Sequence, residues 1–137
     1  MIDVTLNPID PQKAISKVRD KSCGAVVAFV GSVRDLSGSK EVLFLEYDPS
    51  AGELARRELE GIADEIRAKW PIENVAICHR LGRLDVGEIT TVFAVAAPHR
   101  KEAFQACQHA IDRFKEVVVL WEKEVTVGDE PDRASEA

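Results

Sequence analysis

The chain has 137 residues, of which 45% are apolar and 31% charged, and its 18 basic and 24 acidic side chains leave a formal net charge of −6. That length predicts one domain with a core large enough to need no disulfide staples. The acidic balance excludes a general nucleic-acid binder, which needs a basic face, and no run approaches the ~18 apolar residues of a membrane span.

The opening residues, MIDVTLNPID, carry neither a basic start nor an apolar core, so no secretory signal is expected and the cytoplasm is the expected location. IDVTL reads as a short strand. In DPQKAISKVRD, Asp10 has the chemistry of an N-cap and Pro11 that of a first helical residue, and Ala14, Ile15 and Val18 recur at helical spacing. CGAVVAFVGSV is an apolar, β-branched run that predicts a buried central strand. The turn-rich RDLSGSK follows, then the strand EVLFLEY.

Ser50 and Glu53 in SAGE form the pattern of a capping box. The helix behind it places Ala55, Leu59, Ile62, Ile66 and Trp70 on one face and stops at Pro71. NVAICHRLG predicts a strand, RLDVGE a turn at Val86 and Gly87, and ITTVFAVAAP another strand. HRKEAFQACQHAIDRFK is a third long helix with Phe104, Cys107, Ile111 and Phe114 facing inward. Residues 117–121 read as a last strand, and a polar tail over 127–137 follows a single domain over 1–126. Helices flanked by adjoining strands predict an α+β fold with a mixed, mainly antiparallel sheet and three main helices.

Cys23, Cys78 and Cys107 are far apart and odd in number, without a C-x-x-C spacing. They read as small buried hydrophobes, and neither a metal site nor a cofactor is expected. The sharpest local anomaly is APHRKEAF. His99, Arg100 and Lys101 crowd the first turn of a helix, where the dipole already presents positive charge. Free backbone N–H groups beside a guanidinium and an imidazole suit a phosphate. A solvated helix end is the competing reading. Arg34 opens a loop after an apolar strand, as binding residues often do, although taken alone a surface arginine paired with Asp35 or a nearby acid is the better reading. His79 reads as a half-buried structural histidine and Arg80 as a surface arginine. Lys115 suits a helix C-terminus, or else it leans into a pocket as an acid, base or nucleophile.

Four separated motifs then join up in order: GAVVAFVGSVRD, ICHRLGRLDVGE, APHRKEAFQACQHAIDRFK and LWEKE. Together they resemble the catalytic (large) subunit of molybdopterin synthase, over about residues 23–124. The resemblance implies an α/β-hammerhead-type fold. It implies a sulfurtransferase that builds the molybdopterin dithiolene from cyclic pyranopterin monophosphate, in molybdenum cofactor biosynthesis. Its sulfur comes as a thiocarboxylate on a small ubiquitin-like carrier subunit, and two large subunits form a homodimer within a heterotetramer. By position, Arg34, His99 and Arg100 would bind the pterin phosphate, and Lys115 would act on the thiocarboxylate. The family usually has a lysine directly after the tryptophan, where this chain has Glu122. Lys123 is then a catalytic candidate only if a bulge shifts the strand register. A binding relative that lost turnover through Glu122 is the alternative.

Overall fold

Pro11 has no backbone N–H to donate, and at the first position of a helix none is required. In the computed structural model, which describes residues 1–127, the first helix starts there, and the Asp10 carboxylate accepts from the Gln12 N–H at 3.0 Å. In chain order the elements are β1 (Ile2–Thr5), α1 (Pro11–Val18), β2 (Ala25–Ser32), β3 (Leu36–Ser37), β4 (Lys40–Tyr47), α2 (Gly52–Lys69), β5 (Val75–Arg80), β6 (Gly82–Asp85), β7 (Ile89–Ala97), α3 (Arg100–Val117) and β8 (Glu122–Thr126). The expected α+β class and the three main helices are borne out. The tail expected beyond the domain lies, from residue 128 on, outside the described residues.

One sheet has the order β1-β5-β7-β2, with β1 parallel to β5 and the other pairs antiparallel. Its middle strands are covered on both faces, which is why β5 and β7 read as unbroken apolar runs. Ala14 and Val18 of α1 pack against Ala76, Cys78, Val92 and Ala94 on one side. The larger cluster on the other side joins α2 and α3 to Ile77, Phe93 and Val95. The chain then turns a corner at Gly82, whose φ of 95° favours glycine, and enters a second sheet in which β4 pairs with β3, β6 and β8.

Several sequence expectations need correction. β2 is an edge strand and not a central one: among the described residues it pairs only with β7, and Val26 and Val30 on its outer face are 37% and 43% exposed. Ser50 does not cap α2. It sits inside a short 3-10 turn over 49–51, where Asp48 accepts from both its N–H and its hydroxyl, and α2 starts without a side-chain cap. Phe104 is 62% exposed, because the buried face of α3 is Ala103, Ala106, Cys107, Ala110 and Phe114, and a step of one residue rotates a side chain by about 100°. Residues 117–121 are not a strand. The helix runs on to Val117, a 3-10 turn covers 118–120, and the strand begins at Glu122. Phe114, Val118 and Trp121 are the buried members of that stretch, a helical spacing that overrides β-branched composition. Of the cysteines, Cys78 and Cys107 are buried and Cys23 is half-buried.

Among the described residues no helix is long and apolar enough to cross a membrane. The start of β2 is held against the start of α3 by the Gly24 N–H, which donates to the Pro98 carbonyl at 3.2 Å. A Cβ at residue 24 would lie 2.7 Å from that carbonyl oxygen, which is backbone and cannot swing aside. Gly24→Ala is therefore expected to destabilise the protein by about 1–3 kcal/mol, the usual range for forced overpacking, as read from the midpoint of denaturant unfolding.

Candidate active site

Arg34 follows a strand end that is pinned on both sides. Val33 is buried, its N–H donates to the Glu88 carbonyl at 3.0 Å and its carbonyl accepts from the Gly87 N–H at 2.9 Å. The Asp35 carbonyl accepts from the Val42 N–H at 2.8 Å. Between these anchors Arg34 is exposed and lines a cavity of about 670 Å³. Lys115 lines the same cavity from the last turn of α3, carried there by the buried neighbours Phe114 and Val118.

The remaining wall comes from β4 and β8. Their register sets Glu122 opposite Tyr47, Lys123 opposite Glu46 and Glu124 opposite Leu45. Side chains alternate across a strand, so Glu122 and Glu124 line the cavity with Tyr47 and Leu45, whereas the exposed Lys123 is outside the lining. The irregularity in this ladder falls between Val42 and Phe44 and leaves the pairing over 122–124 regular. The shift that would carry Lys123 into the cavity is thus not made, and Glu122 stands where the resemblance sets a lysine.

Glu122 is half-buried, and its carboxyl is raised above the usual carboxylate range. Burial is the main cause, the nearby Glu124 adds to it, and the Tyr47 hydroxyl and the Lys115 charge oppose it. Burial likewise pushes the Tyr47 phenol well above its ordinary value, with the Glu122 charge second, while an interaction with the Thr90 side chain pulls the other way. Cation and carboxylate therefore line one cavity, with the Tyr47 phenol beside the carboxylate.

Behind this wall lies a residue that the sequence reading undervalued. His79 is not half-buried but fully buried. The Trp121 indole N–H donates to its Nε2 at 2.9 Å, which makes Nε2 the acceptor, so Nδ1 carries the proton and donates to the Thr90 carbonyl at 3.2 Å. Tyr47 and Phe114 meet the imidazole edge-on, with ring centroids 4.5 and 5.1 Å away. Burial lowers its pKa to about 4 against the partial support of the Thr90 carbonyl. Nothing in VAICH signals this, since the decisive partner is 42 residues away. Arg80 next to it is mostly buried and pairs with Glu88 at 3.0 Å, which is a structural role.

His99 and Arg100 lie elsewhere. Both are exposed at the N-terminus of α3, and the His99 side chain makes no capping bond. Lys115 is fifteen residues along the same helix, about 22 Å away at 1.5 Å per residue. One chain therefore brings Arg34 and Lys115 together and leaves His99 and Arg100 at the far end.

Residues 4–117 match the family model described as MoaE protein. The chain is 40% identical over 123 residues to the molybdopterin synthase catalytic subunit of Bacillus subtilis (strain 168), covering 90% of this chain and 78% of that one. The crystal structure of molybdopterin synthase from Staphylococcus aureus superposes with a TM-score of 0.81 at 34% identity, over 91% of this chain and 89% of that one. A complex of subunits 1 and 2 of molybdopterin-converting factor from Helicobacter pylori shares the fold, with a TM-score of 0.71 at 18% identity, over 92% and 84% of the two chains.

Two outcomes follow from the buried histidine. The folded protein resists protonating His79, whereas the unfolded chain takes the proton up near pH 6.5. This contribution is complete above about pH 6.5 and is lost as pH falls toward about 4, by roughly 3 kcal/mol. Chemical denaturation across that window reads the loss, and ring-nitrogen NMR should show His79 still neutral, with its proton on Nδ1, at about pH 5. Trp121→Phe removes the donor to Nε2 and is expected to cost about 1–3 kcal/mol or more, because a buried acceptor is left without a partner.

Proposed function

Because the chain belongs to the MoaE protein family, we propose that it is the catalytic subunit of a molybdopterin synthase, an enzyme of molybdenum cofactor biosynthesis. The reaction is sulfur transfer from the thiocarboxylate of a small ubiquitin-like carrier subunit to cyclic pyranopterin monophosphate, which yields the dithiolene of molybdopterin. One observation supports this most: in a chain matching the family over 4–117, Arg34 and Lys115 arrive from separate elements at one cavity.

The geometry suits the chemistry. A guanidinium at the mouth offers paired donors to a phosphate. An ammonium on the wall attracts a thiocarboxylate anion and stabilises the negative oxygen that grows as its acyl carbon is attacked. Val119 and Leu120, each 66% exposed, offer apolar contact beside the cavity for the carrier. Lys123 is read as a surface lysine. Three free thiols suit a reducing compartment, so we assign the reaction to the cytoplasm. The alternative of a binding relative without turnover draws no support from relatives named as catalytic subunits.

His99 and Arg100 enter this scheme through a second copy of the chain. About 22 Å of helix separates them from Lys115, so they cannot hold the phosphate of a pterin seated in their own chain's cavity. A homodimer in which each α3 start faces the partner's cavity makes two complete sites.

A single-turnover assay with thiocarboxylated carrier and the cyclic pterin should give dithiolene product, and its absence would sink the reading. Lys115→Ala and Arg100→Ala should each nearly abolish product. Mixing the two variants should restore about a quarter of the wild-type rate, because half of the randomly formed dimers are mixed and each has one intact site. No recovery on mixing would argue against the two-chain site.

A further inference from the structure

Sulfur transfer from a thiocarboxylate leaves a bond to break. The carrier gives its sulfur by attacking a pterin carbon: a carbon–sulfur bond forms, a carbon–oxygen bond of that carbon breaks with its electron pair leaving on oxygen, and an acyl–sulfur–pterin thioester remains. The sulfur stays with the pterin only when water attacks the acyl carbon. A carbon–oxygen bond then forms, the carbon–sulfur bond breaks, and the electron pair leaves with sulfur as a thiolate. No oxidant or reductant is consumed, but the attacking water must lose a proton. The guanidinium of Arg34 has no lone pair to accept one, nor has an ammonium.

We propose that Glu122 accepts that proton, with the Tyr47 hydroxyl holding its carboxylate and Lys115 balancing its charge across the cavity. The inference rests on the synthase reading given above. Its support is positional. Glu122 lines the cavity, stands directly opposite Tyr47 in the β4/β8 ladder, and shares that cavity with Lys115. Tyr47 is itself fixed, since it is buried, meets the His79 ring edge-on and interacts with the Thr90 side chain. The charged and titratable groups facing the carboxylate are Tyr47 from β4, Lys115 from α3, Glu124 from β8 and Arg34 beyond the end of β2. The raised affinity of Glu122 for protons brings it nearer the working pH, where a general base is most effective. The lysine usual at this position and the carboxylate here differ in charge, yet both can carry a proton. After the carbon–sulfur bond breaks, the proton passes from Glu122 to the departing sulfur or to water at the cavity mouth. The carrier leaves as a carboxylate after losing the second proton of the attacking water.

The test is single turnover of the complex with wild-type protein, Glu122→Gln, Glu122→Lys and Tyr47→Phe, followed by intact mass and by product. Glu122→Gln should still form the carrier–pterin conjugate, accumulate it in a hydroxylamine-sensitive form, and release product about a hundredfold more slowly or worse. The acid limb of the release step should vanish with it. Glu122→Lys should also slow release. Tyr47→Phe keeps the ring against His79 but removes the hydroxyl that favours the ionised carboxylate, so the acid limb should move to higher pH. Product release at the wild-type rate by Glu122→Gln, a rate in Glu122→Lys equal to or above the wild type, or an unmoved limb in Tyr47→Phe would each overturn the proposal. A wild-type protein that forms neither conjugate nor product would overturn the synthase reading itself, which distinguishes the two failures.

Discussion

The hydrogen bond from the Trp121 indole to Nε2 of His79 ties the two sheets to the end of α3. A fully buried imidazole is tolerated only when neutral and when both ring nitrogens have partners. Thr90 on β7 and Trp121 after α3 supply those partners, so the side chain of β5 holds elements from both sides of the cavity. The rings of Tyr47 and Phe114 close over the same imidazole. Trp121 is also where the chain leaves the helical turn for β8, since its N–H donates to the Val118 carbonyl and its own carbonyl accepts from Asp48. Lys115 lies six residues before this anchor and Glu122 one after it. Their mutual position is therefore a consequence of a contact that touches neither.

That anchoring matters because the cavity mixes charges of both signs. Arg34 and Lys115 line it, as do Glu122 and Glu124. In water such neighbours would collapse into mutual ion pairs or drift apart at little energetic cost. Held on separate elements, the two cations stay on the Arg34 and α3 side of the cavity and the two carboxylates on β8. The partial burial that raises Glu122 also strengthens the contacts that this carboxylate itself makes, because low-dielectric surroundings screen less.

Local chemistry made much of the fold legible in the sequence. Asp10 with Pro11, Pro71, Gly87 and the break at Pro98 each mark a boundary through a property of one residue, and the structure puts ends or turns at all of them. What failed were inferences that depend on distant partners. The valines of 117–121 suit a strand by composition, but Val118 and Trp121 have their core contacts at a helical spacing. The apolar β2 run gives no sign of having a neighbour on one side only, and Phe104 differs from Ala103 by a single step of helix rotation. The site shows the same division. Arg34, Lys115 and the odd Glu122 could be singled out because each departs from a local rule or carries a motif. The importance of His79 could not, because burial and a tryptophan donor 42 residues away decide it.

The length of α3 explains why this family's motifs are scattered along the chain and not gathered in one loop. Its eighteen residues set His99 and Arg100 at one end and Lys115 at the other. Their charges suit the helix end at Lys115 and oppose the dipole at His99 and Arg100. A cationic helix start is tolerable when an anion lies against it, and no carboxylate pairs with His99 or Arg100 among the ion pairs of the described residues. In the proposed two-chain site the substrate phosphate supplies that anion, and the electrostatic cost at the α3 start becomes affinity for substrate. The strain is then relieved only when a second subunit and an anionic ligand are both present, so that substrate binding and dimer geometry are coupled through one helix end.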